Sequence, residues 1–146
     1  MRIIKLSKVD EDFSNRDMVG EYFEKKLKNK VPEGKFELTK TRIAKNGISP
    51  NEKLIFTYEG EIVYLAEAAT GRETNKGKQT EKYPYCFYID MESVRPGHGA
   101  LATLESKLKE KNLHNKNIVK SQAWPIVEQN INNMVALESI LTLFIK

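Results

Sequence analysis

The chain is poor in the residues that build disulfides and metal centres. Cys86 is its only cysteine, and His98 and His114 are its only histidines, so an intrachain disulfide and a Cys/His structural zinc site are both excluded. A reducing compartment and no bound metal are expected. Long apolar runs are also missing: nothing approaches the ~18 residues of a membrane span. The stretch MRIIKLSKVDEDF turns to charge too early for a secretion signal. The expectation is a cytoplasmic protein with no membrane contact. With 8 glycines and 5 prolines in 146 residues, collagen-like and low-complexity classes are out. Phosphate-loop fingerprints are absent too, because Gly97-His98-Gly99 lacks both the third glycine and the lysine-hydroxyl ending. No cofactor is expected.

What is present suits a folded domain. Hydrophobic residues make up 40% and charged residues 30%, and the length fits one core better than two, so residues 1–146 read as a single domain. The formal charge of +4 tolerates a polyanionic partner without demanding one. The cations gather at 25–35, at Lys40, Arg42 and Lys45, and over 72–82 and 107–120.

Residues 2–6 start a strand on β-branched Ile3 and Ile4. Ser14, three residues before Asp17, is placed to cap a helix on which Val19, Tyr22, Phe23 and Leu27 recur until Val31-Pro32. Residues 36–43 are β-prone, Asn46-Gly47 makes a turn, and KLIFTY at 53–58 is a strong strand. Glu59-Gly60 reverses it into EIVYLAEAA at 61–69, whose alternation predicts Ile62, Tyr64, Ala66 and Ala68 on one face and Val63 and Leu65 on the other. Residues 70–82 hold no apolar side chain and read as a solvated loop. YPYCFYIDM at 83–91 returns as a strand with Tyr85, Phe87, Ile89 and Met91 together, and residues 95–99 form a breaker cluster. Leu101, Leu104 and Leu108 mark a helix, and Pro125 is expected in the first turn of a last helix striped by Val127, Ile131, Met134, Leu137, Leu141 and Phe144. The sum is an α+β domain with flanking helices and a curved, mainly antiparallel sheet or small β-barrel, because hairpin-length connections leave no room for parallel crossovers.

Few residues could carry chemistry. Cys86 sits in an aromatic strand, where an inert buried thiol is the common outcome, and His98 lies among glycines without an acidic orienter. A metal-dependent nuclease would draw on Glu67, Asp90 and Glu92, whose spacing fits no defined motif. The aromatics Phe56, Tyr58, Tyr64, Tyr83, Tyr85, Phe87, Tyr88 and Trp124 surround the expected sheet. Core packing accounts for most of them, while any ring left toward solvent beside basic loops resembles a stacking platform for unpaired bases.

The succession RIIKLSKVDEDFS, helix, NEKLIFTYEGEIVYLAEAATGR, YPYCFYIDMESV, leucine-striped helix and SQAWPI is similar to the PUA-like superfamily, and within it to the EVE and YTH-type domains. Lys5 and Ser7 stand where that family ends its first strand in Lys-Ser. The resemblance implies a small curved barrel that accepts an extruded or unpaired, often modified, base beside a basic surface, without catalysis. It implies a pocket drawn from Lys5, Ser7, Thr41, Arg42, Asn46 and Trp124. The ASCH branch's Gly-x-Lys-x-x-Glu-x-Arg signature is absent, which counts against a hydrolase.

The leading expectation is therefore a non-catalytic module whose partner is nucleic acid, DNA or RNA, reading a modified or flipped base in a restriction or defence setting. The alternatives are a metal-dependent nuclease or other nucleic-acid enzyme, and a protein-protein interaction module using the C-terminal helix.

Overall fold

A computed structural model describes residues 1–146. Its strands are β1 (Arg2–Leu6), β2 (Lys35–Leu38), β3 (Lys53–Tyr58), β4 (Glu61–Ala68), β5 (Glu73–Thr74) and β6 (Tyr85–Pro96). They join in the order β1-β3-β4-β6-β2, with β5 also on β6. β1 runs parallel to β3 and every other pair is antiparallel. The architecture is α+β, a strongly curled mixed half-barrel with flanking helices. The parallel pair corrects the expectation of no crossover: β1 and β3 are separated by a helical segment and β2, enough chain to return in the same direction.

The β3-β4 turn places both Glu59 (φ 51) and Gly60 (φ 79) in the left-handed region, the geometry that matches strand twist in a two-residue hairpin. One irregularity changes the expected faces of β4. Phe56 pairs with Tyr64 and Thr57 with Ile62, so Val63 is an extra residue and the strand bends there. Ile62 then joins Leu65 on the outer side, while Val63, Tyr64, Ala66 and Ala68 face the inner core. A larger bulge bends β6: Glu67 faces Asp90 but Leu65 faces Arg95, and the Ser93 hydroxyl accepts from the Glu67 N–H at 2.7 Å. β6 thus continues through Arg95 and Pro96, where a breaker was expected.

Two apolar clusters lie on either side of this sheet. The inner one collects Ile4, Phe36, Leu54, Phe56, Tyr58, Phe87 and Ile89 with Val19, Tyr22, Phe23 and Leu27 of the helical segment. That segment is α1 (Arg16–Glu21), a π-helical turn (Tyr22–Lys26) and α2 (Leu27–Asn29). Its cap is Asn15, which accepts from the Met18 N–H at 3.0 Å; Ser14 instead donates to the Glu11 carbonyl. Outside, Ile3, Ile55, Ile62 and Leu65 pack against α3 (Leu101–Glu110) and α4 (Met134–Thr142).

The last helix starts later than the apolar stripe suggests. Asn130 Oδ1 accepts from the N–H groups of Asn132 and Asn133, and Asn133 Oδ1 accepts from Asn130 N–H. These local bonds compete with the helix, so Ile131 is 92% exposed rather than in the stripe. Pro125 to Val127 instead run along the outer edge of β1: Ile3 N–H donates to the Pro125 carbonyl and Val127 N–H to that of Met1. The 70–82 stretch is not wholly a solvated loop, since it contains β5 and the buried Asn75. No helix is long and apolar enough to cross a membrane.

Candidate functional site

A curled sheet that does not close leaves a seam between its end strands, here β1 and β2. A cleft of about 190 Å³ lies at that seam. Lys5 and Leu6 from the end of β1 line it, as do Phe36 and Glu37 from β2; Ser7, Asp10 and Phe13 follow from the chain after β1, and Thr39 and Arg42 from the chain after β2. Val9, Lys82, Tyr83 and Trp124 complete the walls.

Its floor is apolar, with Leu6, Phe13 and Phe36 buried. Trp124 meets Phe36 edge-on at 6.5 Å, and the Arg42 guanidinium sits 5.2 Å above the indole. Across the site Lys82 lies 5.1 Å from the Tyr83 ring, and the Tyr83 hydroxyl donates to Asp10 Oδ2 at 3.4 Å. A smaller recess of about 30 Å³ shares Asp10, Phe13, Phe36, Glu37 and Tyr83 with the cleft and adds Asp12, Tyr22 and Lys30. Burial, reinforced by Asp12, Glu37 and Asp10, raises the Tyr22 phenol well above its ordinary value. Burial also lowers the Lys30 ammonium, against the pull of Glu37.

Trp124 rides on a strap, residues 118–124, held at several points. Glu105 Oε1 accepts from Ile118 N–H at 2.6 Å and from Val119 N–H at 3.3 Å. Lys5 Nζ donates to the carbonyls of Val119 (3.1 Å) and Ser121 (2.5 Å). Arg2, 4% exposed, donates to the carbonyls of Trp124 and Gly47, tying the strap to the Asn46-Gly47 turn.

Backbone N–H groups stabilise the charged form of Glu105 and hold its carboxyl below the ordinary 4.5, Ile118 contributing most. A depressed acid favours the held strap above its ordinary value, and that contribution disappears as pH falls through the lowered folded-state value. Trp124 is the only tryptophan, so its emission should shift on acidification below that range, and Glu105→Gln should reproduce much of the shift at neutral pH. Unchanged emission in the variant would show that Glu105 does not hold the strap.

Of the residues expected from sequence, Lys5, Ser7, Arg42 and Trp124 come together in the cleft, whereas Thr41 and Asn46 do not line it. Thr41 is exposed, its place taken by Thr39. Asn46, with φ 64, makes the turn that Arg2 grips. Lys5 directs its ammonium to strap carbonyls, and Ser7 Oγ accepts from Val9 N–H. Asp10, Glu37 and Phe36 were not anticipated. Arg2 left a signal, a cation at the head of the mostly apolar strand RIIKL.

Of the carboxylates weighed for a nuclease, Glu67 and Asp90 face each other across β4 and β6, but each already has a partner. Glu67 pairs with Lys53 at 3.4 Å, and Asp90 accepts from the Glu92 backbone N–H. No three His, Cys, Asp or Glu side chains form a metal-holding group. Cys86 is buried, and burial pushes its thiol up. Compared with family models, curated proteins and solved structures, nothing matches this chain.

Proposed function

We propose that this protein is a PUA-like, non-catalytic nucleic-acid-binding module that receives one unpaired or flipped base, modified or not, in the seam cleft. The observation that carries the reading is the cleft itself: a half-buried indole under an arginine, above an apolar floor, at an opening with further cations. A base taken out of its stack loses a few kcal/mol, and stacking on an aromatic ring returns about 1–3 kcal/mol. Arg42 and Lys82 supply phosphate contacts, which add affinity without sequence choice. The curled half-barrel and its flanking helices are consistent with the same family reading.

The test is a panel of single- and double-stranded DNA and RNA, with and without modified bases, read by Trp124 fluorescence at two salt concentrations. Two or three phosphate contacts on a single strand predict a log-log salt slope of about −1.5 to −2. Affinity that ignores salt would remove the phosphate contacts from the proposal, and failure of every nucleic acid to bind would end it. Magnesium or manganese should produce no cleavage; metal-dependent cutting abolished by Asp90→Ala would put the nuclease in its place.

A further inference from the structure

We infer that the cleft reads its base through carboxylate acceptors, and so takes bases with an exocyclic amino group (cytosine, adenine or guanine) over thymine or uracil. The inference rests on the base-binding reading above and names the class of base.

Charge is unevenly distributed along the site. Arg42, Lys82 and Trp124 belong to the cleft alone, whereas Asp10 and Glu37 belong to both the cleft and the recess that continues from it, where Lys30 joins them. The carboxylates therefore lie where cleft and recess meet, and the Arg42 guanidinium with the Trp124 indole lies outside the recess. A nucleotide has the matching polarity, an anionic phosphate at one end and the base's hydrogen-bonding edge at the other.

The acceptor end is held in place before any ligand arrives. Asn75, 5% exposed, donates through Nδ2 both to Glu37 Oε2 at 3.0 Å and to the Tyr83 carbonyl at 2.7 Å. One buried amide thus fixes a carboxylate and an aromatic of the cleft. Glu37 Oε1 is left with Lys30 Nζ at 3.9 Å, beyond hydrogen-bond range. Asp10 Oδ2 has only the long bond from Tyr83. A carboxylate offers about four lone-pair sites, so both groups retain accepting capacity. Amino bases present N–H donors to such groups, as cytosine N4 does to Glu or Asp. Thymine and uracil present one N–H between two carbonyl oxygens, whose lone pairs the carboxylates repel.

The experiment uses the whole chain and oligothymidylate carrying one central cytosine, adenine, guanine or abasic site, with oligouridylate counterparts, titrated by Trp124 fluorescence. A central amino base should bind about tenfold tighter than the all-thymine or abasic strand. In Glu37→Gln, Asn75 keeps the amide oxygen at the Oε2 position and places an NH₂ group where Oε1 was, so the preference should shrink to about threefold or less. Asp10→Asn should narrow it as well, and melting temperatures of both variants confirm that they remain folded. Equal binding of thymine and amino-base strands would overturn the carboxylate reading while leaving nucleic-acid binding in place. No binding by any strand would overturn both, and a trimethyllysine peptide bound in their stead would assign the acids and rings to a cation cage.

Discussion

Phe23→Ala is expected to destabilise the protein by about 3–5 kcal/mol, the range for emptying a buried aromatic site. Phe23 is 1% exposed and lies at the join between the helical segment and the inside of the half-barrel. Its ring stacks on Tyr64 at 4.3 Å and 15°, and meets Phe56 at 4.7 Å and Tyr22 at 5.4 Å edge-on. Truncation removes each of these contacts, and the surrounding residues are themselves too tightly packed to collapse into the space: Phe56 is 0% exposed and Leu27 0%. For a domain whose total stability is about 5–15 kcal/mol, such a loss lowers Tm by on the order of 10 °C. Urea titration measures it directly, and Phe23→Leu, which keeps much of the volume, should cost less than half as much. A Phe23→Ala protein melting with the parent would mean that the helical segment is not held by this ring.

The same contact shows why the strands were legible before the structure and the helix only partly. KLIFTY and EIVYLAEA carry apolar residues in numbers that only a sheet buried on both faces requires, and Glu59-Gly60 marks their turn. Hydrophobic periodicity is silent about a single inserted residue, so the bulge at Val63 reversed the side assigned to Ile62. It is equally silent about the π-helical turn that buries the consecutive Tyr22 and Phe23. At the C-terminal end the apolar stripe overreached, because asparagine side chains bonding to their own backbone outweigh a stripe interrupted at Ile131.

The cleft was legible in part for a topological reason. Lys5 and Ser7 are close in sequence, and a resemblance was enough to draw them together with Arg42 and Trp124. Asp10 and Glu37 look, in sequence, like polar residues of a turn and of the solvent side of a strand. They meet only because the parallel β1-β3 pairing leaves the end of β1 facing β2 across the seam, a pairing that hairpin arithmetic had ruled out. Arg2 follows the same logic. Its cost of burial is offset by two backbone carbonyls from distant parts of the chain, and no local pattern announces them.

Trp124→Ala is expected to weaken nucleic-acid binding by about 1–3 kcal/mol, roughly fivefold to more than a hundredfold, while the protein stays folded. The other role open to this ring, sealing the core, would make the same change cost about 3–5 kcal/mol of stability. The geometry favours the smaller stability loss. Trp124 is only partly buried where it packs against the inner core, meeting Phe36 edge-on, and its Nε1 has no hydrogen-bond partner within the chain, an unfavourable arrangement that truncation relieves. The strap keeps its other anchors, Glu105, Lys5 and Arg2, all of which bind backbone atoms and survive the substitution. Since the variant loses the only tryptophan, anisotropy of a labelled oligonucleotide replaces intrinsic fluorescence, alongside calorimetry for Tm. Trp124→Phe should recover part of the affinity, because a smaller ring still stacks, and Arg42→Ala should lose affinity mainly at low salt, because its contribution is to phosphate. A folded Trp124→Ala protein that binds as tightly as the parent would remove the indole from the site, and a melted one would assign it to the core.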